Sequence, residues 1–148
     1  MDQGRAPRTV KGRVFLDTNV TVYLFDADAP AKQQQARELF SRQAYRGRLM
    51  TSTQVLQEFY VSVTRKLARP LSADVACQAV KSLAALPIVQ VDTPIIFAAI
   101  KRSRTDQLSF WDALIIEAAL AGGALHLYSE DLQDGRIIAG MRIENPFR

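Results

Sequence analysis

"RVFLDTNVTVYLFD", residues 13–26, is the stretch from which the fold is read. Val14, Phe15 and Leu16 form an apolar run of the kind that fills a strand covered on both faces. The run stops at Asp17, and Thr18-Asn19 lead into a second apolar stretch, Val20 to Phe25. This is a strand, an acid, and then a segment that packs back onto the core. A carboxylate at the mouth of a buried strand either caps the segment that follows or serves chemistry.

Moving outward, four more short apolar runs read as strands: "LMTS" (49–52), "IVQVD" (88–92), "ALHLYS" (124–129) and "MRIEN" (141–145). Longer stretches with helical spacing separate them, at 31–46, 53–68, 72–86, 93–104 and 109–121. Ser72 and Ser109 are good N-caps, Pro87 disfavours further helix, and Gly122-Gly123 is a C-cap signal. Strands alternating with helices predict right-handed crossovers and a mainly parallel central sheet in a three-layer α/β/α sandwich. In such sheets ligands bind beyond the carboxyl ends of the strands, near the topological switch point. Asp17 falls in that position.

The chain has 148 residues, enough for one domain with a sizeable core, and no internal repeat or linker divides it. We read residues 13–148 as that domain and residues 1–12 as a flexible basic leader. The leader has no apolar h-region, and no apolar run approaches the roughly eighteen residues of a membrane span, so a cytoplasmic location is expected. The net charge of +4 is compatible with a polyanionic partner. A single cysteine, Cys77, excludes an internal disulfide and a cysteine-based zinc site, and is expected as a small buried hydrophobe. His126 is the only histidine and reads as a half-exposed strand residue. Any metal would therefore be held mainly by oxygen.

The carboxylates sort by setting. Asp92 precedes Thr93-Pro94 and is expected to cap a helix; Asp26 and Asp28 read as a solvated turn. Asp112 lies in "LSFWDALIIEAALAGG", with Ile115, Ile116 and Ala119 on its side of the helix. A charge there is costly unless paired, protonated or bound to a cation, although first-turn amides are an alternative source of stabilisation. Glu117 on the same helix points elsewhere and can reach solvent or a basic partner. Glu58, in "STQVLQEFY", sits in a similarly apolar helix, and Asp131 follows the strand "ALHLYS". Gathered together, Asp17, Glu58, Asp112 and Asp131 would repel one another, and a divalent cation relieves that repulsion. An all-oxygen set suits Mg²⁺ or Mn²⁺, which can polarise a phosphoryl oxygen and activate water for phosphodiester hydrolysis. Spacing alone does not gather the four acids.

The same residues carry a resemblance. "FLDTNV", "QEFY", "LSFWDALI", "LYSEDLQDG" and the ending "IENPF" occur in the order found in PIN-domain ribonucleases, and the chain resembles the VapC-type toxins of bacterial toxin–antitoxin pairs from about Val14 to Phe147. The resemblance implies a Mg²⁺- or Mn²⁺-dependent endoribonuclease in which Asp17, Asp112 and Asp131 bind metal and Glu58 completes the acidic pocket. Thr18, Asn19 and Ser129 would hydrogen-bond the carboxylates. Glu130 stands beside Asp131 and either can supply the fourth acid, Asp131 being the better match. The resemblance also implies a homodimer and a small antitoxin that blocks the pocket. Two basic clusters, Arg65-Lys66 and Lys101-Arg102 with Arg104, are candidates to track an RNA backbone, or else solvated helix ends. A receiver-like or haloacid-dehalogenase-like phosphotransfer site is disfavoured, since Asn19 stands where the latter needs a second Asp. The rival from another class is a PIN-fold module that binds RNA or protein without cutting.

Overall fold

A computed structural model of the chain describes residues 11–148, so residues 1–10 of the expected leader lie outside the described residues. The elements run β1 (Arg13–Leu16), α1 (Thr18–Tyr23), α2 (Pro30–Ser41), a 3-10 turn (Gln43–Tyr45), β2 (Leu49–Ser52) and α3 (Thr53–Val61). A π-helical turn (Ser62–Lys66) continues α3. Then come α4 (Ala73–Leu83), β3 (Ile88–Val89), α5 (Thr93–Thr105), α6 (Phe110–Ala121), β4 (Ala124–Tyr128), β5 (Ile137–Ile138) and β6 (Met141–Glu144). Among the described residues no helix is long and apolar enough to cross a membrane.

The six strands lie in the order β3-β2-β1-β4-β6-β5. All pairs are parallel except β5–β6. The chain steps outward from β1 to β2 and β3, then crosses back to place β4 on the other side of β1. That reversal is the switch point, and it leaves the ends of β1 and β4 side by side.

Alternation along the strands supplies both apolar faces. Phe15, Met50, Leu127, Met141 and Ile143 face α5 and α6, where Ala113, Ile116, Ala119 and Ala99 fill the layer. Val14, Leu16, Leu49 and Tyr128 face the other way, under Val20 and Leu39 of α1 and α2. A third cluster joins Phe59 and Val63 to Ala76, Ala79 and Leu83 of α4. Gly122, the cap that follows α6, lies hard against the sheet: a Cβ there would stand 2.1 Å from the Met50 side chain.

The differences from the sequence reading are local. Only Ile88 and Val89 of "IVQVD" pair as strand, because Asp92 turns to cap α5, accepting from the Ile95 amide at 3.1 Å. β5 was not anticipated. Cys77 is exposed rather than buried: α4 turns Ala76, Ala79 and Leu83 inward and leaves Cys77 outside. His126 is half-buried, its Nδ1 2.6 Å from Glu144.

Candidate active site

Asp17 has two positions to hold at once. It is the N-cap of α1, one carboxylate oxygen accepting from the Thr18 amide at 2.7 Å. The other accepts from the Ser129 hydroxyl, also at 2.7 Å, across the β1–β4 seam. Ser129 in turn accepts from the amides of Asp131 and Leu132, at 3.2 and 3.3 Å. The acid at the end of β1 and the loop after β4 are thus tied through one hydroxyl.

The neighbouring residues repeat the pattern. Thr18 donates through its hydroxyl to Glu58 of α3 at 2.7 Å. Asn19 donates to Asp131 at 3.1 Å and accepts from the Glu130 amide at 3.1 Å. Each of the three polar residues expected beside the carboxylates therefore donates to one of them. Gln54, one turn before Glu58, bridges α3 and α6 by donating to Glu58 and to the Trp111 carbonyl, both at 3.4 Å. Asp112 enters from the first turn of α6, where Ser109 caps its amide at 3.1 Å. Its carboxylate takes no hydrogen bond from a described residue.

Asp17, Glu58, Asp112 and Asp131 all line one cleft of about 680 Å³ at the carboxyl edge of the sheet, together with Asp26 and Glu130. Lys66, delivered by the π-helical turn, is the one lysine or arginine among the described lining residues. The electrostatics follow from burial first and from that imbalance second. Asp17 is 7% exposed, and burial pushes its pKa up to about 6, against the hydrogen bonds from Ser129 and Thr18 and with the charges of Glu58 and Asp131. Glu130 differs. Burial works against its charge, yet Lys32 and Tyr23 together hold it below the usual carboxylate range.

Among the described residues no three His, Cys, Asp or Glu side chains stand close enough to grip an ion by themselves. Amides and hydroxyls hold the acids apart around the cleft. Mg²⁺ is commonly bound through one or two carboxylates and keeps several waters. The donor set fits such a hydrated ion: oxygen only, under-neutralised, and open to solvent at Asp131.

The basic candidates separate. Lys66 lines the cleft, whereas Arg65, Lys101 and Arg104 are exposed outside it. Arg102 is committed elsewhere: its Nη1 lies 2.9 Å from Asp106 and its Nε 2.5 Å from Glu117. Sequence reasoning missed Gln54, whose spacing of four from Glu58 was the available signal, and Trp111, which lines the cleft beside Asp112 while 62% exposed.

A parallel sheet whose switch point gathers carboxylates from two strand ends and two helices defines a class of α/β protein. The PIN domain family model matches residues 14–133, and the chain belongs to that family. No curated protein sequence matches it significantly. Among solved structures it is similar to a toxin–antitoxin complex from Klebsiella pneumoniae (TM-score 0.67, 17% identity, covering 90% of this chain and 97% of that one). It is also similar to VapC20 of Mycobacterium tuberculosis, a toxin that cleaves the sarcin–ricin loop (0.58, 22%, 80% and 89%). A third likeness is to DNA-bound VapBC from Salmonella typhimurium (0.60, 19%, 91% and 98%). At these identities the likeness shows the fold. PIN-domain nucleases are generally dependent on divalent metal.

Proposed function

We propose that the protein is a Mg²⁺- or Mn²⁺-dependent endoribonuclease, the toxin of a VapBC-type pair. The observation that carries the reading is the cleft at the switch point, where Asp17, Glu58, Asp112 and Asp131 meet with too little positive charge to balance them. Asp17, Asp112 and Asp131 would hold a hydrated ion between them, in part through its waters. A bound divalent ion supplies Lewis-acid polarisation of a phosphoryl oxygen and a more acidic water. Glu58, fixed by Thr18 and Gln54, orients the attacking water. Ser129 and Asn19 keep Asp17 and Asp131 facing the cleft, the layer on which ligand orientation depends. Lys66 attracts a phosphate at the rim, and the exposed face of Trp111 offers a stacking platform to an unpaired base.

The fold likeness to a toxin–antitoxin complex supports an antitoxin as partner; in this reading the antitoxin is small and covers the cleft, and the working unit is a homodimer. The test is RNA cleavage by the purified, partner-free protein. Cleavage is expected with Mg²⁺ or Mn²⁺ and is expected to stop in EDTA. Full activity in EDTA, or RNA binding without cleavage that survives Asp17→Ala and Asp112→Ala, would overturn the reading.

A further inference from the structure

Glu130 and Asp131 are adjacent acids on the loop after β4, and both line the cleft. Their surroundings differ completely. The Glu130 carboxylate receives the Lys32 ammonium of α2 in an ion pair, and the Tyr23 hydroxyl of α1 at 2.6 Å. Lys32 also reaches the Tyr23 hydroxyl at 3.3 Å, and its Nζ lies 5.0 Å from the centre of the Tyr23 ring. Phe147, from the "IENPF" ending, packs edge-on against Tyr23 with ring centres 4.9 Å apart, and Lys32 lies 6.0 Å from its ring. Four parts of the chain meet in this cluster: α1, α2 and the loop at the carboxylate itself, and the C-terminal segment behind Tyr23. Among the described residues, Asp131 has only the Asn19 amide as a side-chain donor.

We infer that Glu130 is a positioning residue and not the fourth acid of the cleft. Lys32 and Tyr23 clamp its carboxylate, and the clamp sets where Asp131 stands. The chemistry argues for this division. A carboxylate already matched by an ammonium and a phenol has little left for a cation, and a lysine beside it repels one. The clamp acts on Asp131 through a short path. Glu130 is the next residue in the chain, and its amide donates to the same Asn19 side chain that donates to Asp131. Loss of the clamp frees the loop on one side, leaving Asp131 to pay an ordering cost when it meets the ion. The inference rests on the metal-dependent reading above, and it gives the C-terminal "IENPF" segment a task, since Phe147 backs the clamp from outside.

The experiment titrates the full-length protein with Mn²⁺ and reads free ion by electron paramagnetic resonance, with the Mg²⁺ dependence of RNA cleavage measured in parallel. Glu130→Gln, Lys32→Met and Tyr23→Phe are compared with Asp131→Asn. Lys32→Met and Glu130→Gln are expected to weaken Mn²⁺ binding about 10-fold and to shift the half-maximal Mg²⁺ by the same factor. Cleavage at saturating metal should stay within about threefold of the parent, and the double variant should be no worse than either single one. Lys32→Arg should restore most of the affinity, which a general loss of folding would not allow. Asp131→Asn should lose cleavage at any metal concentration. If Glu130→Gln loses binding and cleavage as completely as Asp131→Asn while Lys32→Met binds normally, Glu130 is a ligand and the inference fails. If all clamp variants bind Mn²⁺ as the parent does, the clamp does not position Asp131 and the inference fails alone. A parent protein that binds no Mn²⁺ and cuts no RNA overturns the metal-dependent reading and the inference with it.

Discussion

The cleft and the α5–α6 hairpin both hold carboxylates in apolar surroundings, and they treat them in opposite ways. In the hairpin, Glu117 and Asp106 are met by Arg102, and Asp106 also by Arg136 at 3.4 Å. Those acids close on partners from their own chain. In the cleft, Asp17, Glu58 and Asp131 are met by hydroxyls and amides, which orient a charge without cancelling it. Acids that a protein has neutralised hold structure together, whereas acids that it has only oriented keep a charge that a cation from outside can meet.

The largest effect that can break this contrast is on cleavage. Asp17→Asn or Asp112→Asn should lower the rate by about 100-fold or more, a magnitude typical of removing one charged group from a reacting centre. An RNase assay at saturating Mg²⁺ reads it, and near-parental activity would erase the distinction. The next effect is on the metal-free protein. The folded pKa of Asp17 is raised to about 6, above its unfolded value, so the folded state binds the extra proton. Stability in EDTA should therefore fall as pH rises from about 4 to about 6, by on the order of 3 kcal/mol. Urea titrations across that range would show the fall, and Asp17→Asn should flatten it.

Arg102→Met tests the other side. It leaves Glu117 and Asp106 without their shared cation and should lower the urea midpoint of unfolding. Its effect on RNA binding should be nil. Lys66→Gln should do the reverse: stability unchanged, and the salt slope of single-stranded RNA affinity reduced by about 0.7. The smallest signal is spectroscopic. Trp111 is the only tryptophan, so single-stranded RNA should quench the protein's emission, and an abasic polymer of equal charge should not.

These contrasts also mark what the sequence made legible. β1 was readable because a strand covered on both faces is continuously apolar, β6 because its apolar residues alternate, and β2 and β4 as short apolar runs, while Ser72, Asp92 and Ser109 cap helices as their positions suggested. β5 was hidden because its two residues reverse through Ala139 and Gly140, both at positive φ, leaving no periodicity to detect. The π-helical turn was hidden because one wide turn barely alters which side chains share a face. Asp112 looked like the most costly acid, judged by its own helix. Yet it stands half-exposed at the cleft, and the desolvated acid is Asp17, enclosed by a loop more than a hundred residues away. Arg102 looked like one of a basic run; its partner Glu117 lies on the next helix. For Asp17 and Arg102 the missing information was a partner on another element.

The hydroxyl of Ser129 has a final consequence. The backbone amides of Asp131 and Leu132 and, at 3.4 Å, the Asn19 side chain all donate to its oxygen, which leaves its own hydrogen for Asp17. The group is held as a donor: it gives its hydrogen bond to the acid of β1, and its lone pairs are already engaged. Ordinary hydroxyls swivel to suit whichever neighbour changes charge, and this one cannot. The polarity at the centre of the cleft is therefore built into the loop's backbone, and it arises when the chain folds.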